Sequence, residues 1–520
     1  MSTKDASMPT HIESSPGMEK QGNVSAGGDD GLAFVLENGQ DAWTEEEEKR
    51  VLRKIDSIIL PLLFIAALFL YADAQAYGIA AIFGLVQDLG LYSLSVVDGA
   101  VVLDLSRYSM TACIYYLGAV AGMYPLLLLA QRLPIGRFLG GFIIFIGTLA
   151  LLTITCHDYA GILTLRFFFG FQSVLTPLCI IITAMWWKTS EQPLRTGVWS
   201  GGAAIGNLCG QAIDLGAIHI GGVYAASPWK WLYVVLGSIA LGLGAVVFAI
   251  FPNGPTRCWF LNDRERMIAV NRLLANNTGI HTKKFKRAQF VEVFKDPQTY
   301  CLSIYNFAFA FANSALGSFG GLLTSSFGYS NTQSLQLLMP ASAVAIVSIA
   351  ISAKITINRF QNRRVLISTL FILPSIAGNA LLWKASRTNK GALLAGLYMS
   401  AIFYGVLPAM SAIASANIAG HTKKTTLNSV TAIFAACGSF AGPWAYKGSE
   451  EAEGYPTAQT VLMSLFAICA VTMGVLEFCY RRRNRIKALK LAELPAEARD
   501  PLMGFRDMTD FENPLFVYTT

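Results

Sequence analysis

Charge is scarce in this sequence. Of its 520 residues, 14% are Asp, Glu, Lys or Arg and 53% are hydrophobic, whereas a soluble globular chain carries about 25% charge. That deficit excludes an ordinary soluble domain and suits a chain that crosses a bilayer repeatedly. Histidine is also rare. The five histidines (His11, His157, His219, His281 and His421) form neither an HExxH pattern nor a His–acid arrangement within an apolar stretch, so enzyme chemistry finds no support. No GxxxxGK[ST] loop occurs, which argues against ATP as an energy source. The nine cysteines make no CxxC pair and no zinc-spaced cluster. Cys113, Cys179, Cys209, Cys301, Cys437, Cys469 and Cys479 lie in apolar stretches, where cysteine serves as a small hydrophobe. No metal, cofactor or disulfide framework is expected. A channel would need a filter or a ring of repeated charges, and the sequence has neither. The net charge of +7 is spread over short loops, so nucleic acid is not an expected partner.

About twelve apolar stretches are present, split into two sets of six by a basic, polar segment near residues 252–298. The first set falls at about 57–83, 107–130, 134–155, 160–185, 196–217 and 230–251, each long enough for a spanning helix of about 20 residues. The second falls at about 299–322, 335–357, 364–384, 391–415, 426–446 and 457–480. The fold class implied is an all-α polytopic membrane protein, with twelve transmembrane helices in two six-helix bundles. Its parts are a polar tail over 1–42, bundles over 43–251 and 299–480, a linker over 252–298 and a second tail over 481–520. The first tail is rich in Gly, Ser and Asp and lacks a signal-peptide core, so it reads as disordered and cytoplasmic.

Basic residues recur on one side of this layout. Lys49/Arg50/Arg53/Lys54, Arg132/Arg137, Lys188/Arg195, the linker, Arg363/Arg364, Lys423/Lys424 and Arg481/Arg482/Arg483/Arg485 alternate with poorer loops. The stretch bearing Lys384, Arg387 and Lys390 is the exception. Positive charge accumulates on the cytoplasmic side of membranes, so both termini are expected there.

Ionisable groups within spans are costly, about 2.5–3.5 kcal/mol on insertion scales, and mark functional sites. Asp73 in span 1 and Arg166 in span 4 come to similar depths, where they can pair. Either they serve transport, with Asp73 taking a proton and Arg166 holding an anion, or they form a structural ion pair. Asp214, near the end of span 5, reads as a solvated helix-end residue. Polar side chains in apolar helices (Gln75, Asn207, Gln211, Asn306, Asn313, Asn379, Tyr404 and Asn417) either bridge helices or line a cavity. Spread over spans 1, 5, 7, 9 and 10, they fit a central cavity between the halves.

Several stretches go further. These are Trp43-Thr44-Glu45-Glu46-Glu47-Glu48-Lys49-Arg50 before span 1, Leu165-Arg166-Phe167 with Gly170 and Pro177, and Trp186-Trp187-Lys188. They continue with Trp229-Lys230-Trp231, Pro252-Asn253-Gly254-Pro255, Lys295-Asp296-Pro297, Asn417-Ile418-Ala419-Gly420-His421, Gly442-Pro443 and the tail Asp507-Met508-Thr509-Asp510. Together they resemble the fungal anion:cation symporter family of the major facilitator superfamily, the allantoate, nicotinate and pantothenate permease type. The resemblance implies alternating access and proton-coupled uptake of a small organic anion. Typical members read Asp-Lys or Asp-Arg in the first helix, whereas this chain reads Asp73-Ala74-Gln75. The 131–137 loop keeps the superfamily's basic residues, Arg132 and Arg137, without their acidic partner.

The sequence therefore points to a monomeric secondary transporter of the plasma membrane, driven by the proton gradient. Asp73 is the proton-coupling candidate. Arg166, Gln75, Asn207, Gln211, Asn306, Asn313, Tyr404 and Asn417 are the substrate-binding candidates. Export of a specialised metabolite through the same fold is the alternative reading, and a non-transporting solute sensor is a third.

Overall fold

The computed structural model describes residues 43–97, 100–188, 190–274, 286–358, 363–493 and 508–519. The expected tail over 1–42 lies outside them, as do 275–285 of the linker and 494–507 beyond the last span.

Thr44 starts α1 (Glu45–Ala80) with a capping box. Its hydroxyl accepts the Glu47 N–H while the Glu47 carboxylate accepts the Thr44 N–H. Four glutamates follow in the first turn, where the helix dipole favours negative charge. The acidic lead-in is thus continuous with the first span, which runs on through a π turn, Ala81–Leu85, to Asp88. A short antiparallel hairpin comes next, β1 (Ser93–Val97) and β2 (Ala100–Asp104), with Ser93 opposite Asp104.

The N-terminal half continues with α2 (Ser106–Arg132), α3 (Ile135–Thr153), α4 (Tyr159–Phe169), α5 (Leu175–Trp186), α6 (Gln192–Ala217) and α7 (Trp229–Ile250). Two linker helices follow, α8 (Asp263–Leu274) and α9 (Arg287–Lys295). The C-terminal half holds α10 (Pro297–Ser325), α11 (Asn331–Asn358), α12 (Arg364–Lys384), α13 (Lys390–Ser400), α14 (Val406–Ala416), α15 (His421–Ala441) and α16 (Pro456–Glu493). A 3-10 turn, Gly170–Val174, joins α4 and α5 into one kinked span. Another, Ala401–Gly405, does the same for α13 and α14. Both kinks follow an 11-residue helix, so the two halves repeat the same break at the same depth.

Among the described residues, 10 spans are long and apolar enough to cross a membrane. The fifth and eleventh, α6 and α15, keep a spanning length of 26 and 21 residues but carry more Gly, Ser, Thr and Asn. Their small side chains are used for contact. Each half pairs its spans alike: α1 with α6, α2 with α4 and α3 with α7, then α10 with α15, α11 with α14 and α12 with α16. On α6, Gly202, Gly206 and Gly210 meet Phe64, Leu68 and Ala72 of α1, and a Cβ on Gly206 would stand 2.3 Å from the Leu68 carbonyl oxygen. Lipid gives helices no hydrophobic reason to associate, so such close approach carries the pairing.

The end that carries both termini is held by charge within each half. Arg195 pairs with Asp56 at 2.7 Å, Arg272 with Glu191 at 2.5 Å and Lys54 with Glu265 at 2.6 Å. In the C-terminal half, the fully buried Lys423 sits among Glu292, Asp296 and Asp510 at 2.8, 3.0 and 2.7 Å. Asp510 belongs to the last described segment, 508–519, which folds back against the bundle. Asn417 exchanges hydrogen bonds with the Thr519 backbone (2.8 and 2.7 Å), as Asn484 does with Tyr518 (2.8 and 2.9 Å). The last span also extends well past residue 480, where Arg483 pairs with Asp296 at 2.7 Å and Lys487 donates to the Asn513 carbonyl of the docked segment at 2.7 Å.

Replacing Asp510 with alanine removes one partner of a buried cation, a change that costs on the order of 3 kcal/mol. The Asp510→Ala protein is expected to unfold at lower temperature than the parent, read by a thermal-shift assay on detergent-purified protein. Asn417→Ala should lower it by a similar amount, since its side chain makes three hydrogen bonds to Thr519 at about 1 kcal/mol each.

Candidate functional site

The two halves meet tightly at the end away from the termini. The Tyr108 hydroxyl donates to the Ser318 carbonyl at 2.5 Å, Ser109 to that of Pro443 at 3.2 Å, and the Cys113 thiol to that of Phe440 at 2.8 Å. Tyr77 stacks on Tyr108, whose edge meets Phe319, and Phe319 stacks on Tyr446, with ring centroids 4.8–5.1 Å apart. All four rings are buried. Below them, Gly78 lets α1 reach α10, because a Cβ there would stand 2.2 Å from the Gly317 carbonyl oxygen. This end is shut by dry aromatic packing.

Beneath that seal the halves part around a cavity of about 790 Å³. Its wall descends to Gly197, Ser200, Leu407 and Ser411, which are exposed, so it opens toward the end that carries the termini. Both kinked spans face it, contributing Gln172 and Ser173 from one break and Tyr404 from the other. A 3-10 segment tightens the helix and leaves side chains out of the regular register, which turns these polar groups inward. A smaller cavity of about 120 Å³ adjoins the large one, sharing Gln75, Asn207 and Tyr404 and adding Gln211, Ser342 and Ser400.

Arg166 is the cationic group of the large cavity. Its guanidinium carbon lies 3.9 Å from the centre of the Tyr77 ring and 5.2 Å from that of Tyr115. The residue is 8% exposed and its Nε is buried without a hydrogen-bond partner. Among the described residues it has no ion pair. The pairing with Asp73 expected from their depths therefore does not form. Asp73 lies within reach of the Arg166 charge but behind the cavity wall, with Oδ1 buried and unpartnered. Aromatic faces have taken the place of a counterion, an arrangement that attracts a cation while leaving its N–H groups free.

The other candidates divide. Gln75 and Asn207 line both cavities, and Asn313 accepts the Tyr404 hydroxyl at 2.8 Å on the wall of the large one. Gln211 lines the small cavity and accepts the Ser342 hydroxyl at 3.1 Å, bridging the two halves. Asn306 and Asn379 donate to the carbonyls of Leu302 and Ser375 on their own helices, and line neither cavity. Asn417 is a correction: it holds the docked C-terminal segment and sits away from both cavities. Asp214 is a second one. Expected to be solvated, it is fully buried, and neither carboxylate oxygen has a partner. Asp214 lies in the last turn of α6, as expected, but one turn beyond Gly210 on the glycine face that packs against α1, which buries it. Sequence reasoning missed Tyr71, Tyr77, Tyr115, Tyr116 and Phe309, which wall the cavity. Aromatics in apolar helices give no sign of facing a cavity over packing in a core. Gln172 did carry a signal, being a polar amide two residues past Gly170 in an apolar span.

A Major Facilitator Superfamily sequence profile matches residues 63–445. The chain belongs to the Major Facilitator Superfamily. It is 31% identical to an uncharacterized transporter of Schizosaccharomyces pombe, over 93% of this chain and 90% of that one. With the allantoate permease of Saccharomyces cerevisiae it shares 28% identity, over 94% and 90% of the two chains. A bacterial homologue of the human lysosomal transporter Spinster, solved inward-facing and unoccupied, superposes with a TM-score of 0.59 at 13% identity. That match covers 84% of this chain and 98% of the other. This Major Facilitator member is thus a multi-pass membrane transporter with the two-bundle fold, and its family and relatives are carriers, not enzymes.

The geometry predicts which positions meet water. With exposed Cys437 replaced by serine, a cysteine at Ser200 or Ser411 should react with a membrane-impermeant maleimide added on the side of the termini. One at Ser109, which is buried in the seal and lines neither cavity, should stay unlabelled, as read by mass shift after denaturation.

Proposed function

We propose that this chain takes up a small organic anion across the plasma membrane by alternating access, coupled to protons. Both termini then lie in the cytoplasm, as the basic loops favour, and the open cavity faces inward. The observation that carries this reading is Arg166, a buried cation on the cavity wall without a carboxylate partner. A group so costly in a membrane is kept where it acts, and a guanidinium held on its aromatic face presents its N–H fork to a carboxylate. The cavity's volume falls within the range of about 300–1,000 Å³ typical of small-molecule sites. Gln75, Asn207, Asn313 and Tyr404 line that cavity as neutral hydrogen-bonding groups suited to the rest of an organic solute. Asp73, within reach of the Arg166 charge, is the proton-coupling group of this reading.

Charge-assisted hydrogen bonds contribute about 1.5–3 kcal/mol, so Arg166→Gln should weaken binding of a transported carboxylate about tenfold to a hundredfold. The measurement is uptake of a panel of radiolabelled small carboxylates into proteoliposomes. Asp73→Asn should abolish accumulation driven by a pH gradient yet keep substrate exchange, and unchanged accumulation in that protein would remove Asp73 from the mechanism. Export is the competing reading, favoured by Ala74 standing where typical symporters carry a cation beside Asp73. Lower secretion on gene deletion, with uptake unchanged, would select it.

A further inference from the structure

Two buried carboxylates, not one, stand in the interior of the N-terminal half. The α1–α6 register places Gly202, Gly206 and Gly210 against Phe64, Leu68 and Ala72. One turn on, it sets Asp214 opposite Ala76, between Asp73 and Tyr77 along α1. Asp214 is 0% exposed with both oxygens unpartnered, Asp73 has Oδ1 unpartnered, and the Tyr233 hydroxyl of α7 is also buried without a partner. The groups whose fields act here are Asp73 and Tyr77 of α1, Tyr233 of α7 and Arg166 of α4. On α6 itself the titratable group nearest Asp214 is the half-buried Cys209, and just past the helix end His219 is exposed, its Nδ1 2.7 Å from the Leu215 carbonyl oxygen. Helix α11 also packs on α6, but its Lys354 is exposed near the opposite end.

We propose that Asp214 carries a proton and shares it with Asp73, so that the two form one proton site inside the N-terminal half. The argument is one of charge. Among the described residues a single cation, Arg166, lies within reach of Asp73, which in turn lies within reach of Asp214, and all three are buried. With both ionised, the interior would hold a net negative charge and three buried carboxylate oxygens without donors, an arrangement membranes penalise. One proton on the pair restores neutrality. When a substrate carboxylate occupies Arg166, the interior regains one negative charge and draws a second proton onto the pair, so each anion travels with a proton. In the transfer itself, an O–H bond breaks on Asp214 and one forms on Asp73 Oδ1, leaving the charge on Asp214. Asp214 lies nearer the sealed end of α6, which suits it to receive protons when that end opens. Tyr233 is the neighbouring hydroxyl able to orient the acid.

This inference rests on the proton-coupled reading above, yet its test needs no substrate. The probe is the proton itself, read by infrared difference spectroscopy on the full chain in lipid nanodiscs with 4-¹³C-aspartate labelling. A protonated-carboxyl C=O stretch should be present at neutral pH and missing in Asp214→Asn. In Asp73→Asn, the titration midpoint of the remaining Asp214 band should move by about one pH unit or more, the mark of coupled sites. No such band in the parent, or an Asp214 band that neither titrates nor responds to Asp73→Asn, overturns the proposal. Asp214→Glu keeps the acid and should keep a titrating band. This provides the same comparison if the asparagine protein does not fold. Failure of carboxylate uptake with the coupled bands intact would instead refute the substrate reading and leave the proton pair standing.

Discussion

A guanidinium cannot be solvated by lipid, and among the described residues no carboxylate forms an ion pair with Arg166. The N-terminal half is arranged around that constraint. Tyr77 and Tyr115 supply ring faces for the cation, and the kink after α4 opens the neighbouring wall. Asp73 is held just behind the surface, where its charge is felt without closing an ion pair. Had the two joined, the buried pair would have been a packing element with its hydrogen bonds spent. Their separation leaves the guanidinium with aromatic faces in place of a counterion, and the carboxylate with one buried oxygen unpartnered.

The halves share a plan but not a chemistry. The same span pairing and the same 11-residue spacing before a 3-10 break recur in each. The described acidic and basic side chains on the cavity wall and just behind it belong to the N-terminal half, while the C-terminal half offers Asn313, Tyr404 and Phe309. Such a division gives one bundle the charged side chains near the cavity and the other a neutral, hydrogen-bonding and aromatic wall. The two ends differ as well. Aromatic rings and backbone acceptors seal one end, and these separate without leaving buried charge behind. At the other, the ion pairs lie within each half, so they stay intact as the halves part.

The C-terminal segment adds to that rigidity. By pairing Asn417 and Asn484 with its own backbone, and Asp510 with Lys423, it ties the ends of α10, α14, α15 and α16 together. A bundle that moves as a body needs such ties where its helices would otherwise fray.

The sequence by itself determined the number and order of the spans, because bilayer thickness imposes a length and an apolarity on every helix. It also marked Arg166, Gln75, Asn207, Asn313 and Tyr404, since polar groups in apolar runs are conspicuous one by one. What it left open depends on rotation and depth. Asn417 reads like Asn313 along the chain, yet one meets the tail and the other the cavity. Asp214 looks like a helix-end residue until the glycine ladder of α6 turns it against α1. Asp73 and Arg166 share a depth, but only packing set the gap between them and put tyrosine rings there. Periodicity tells which residues share a face. The tertiary structure alone decides what that face meets.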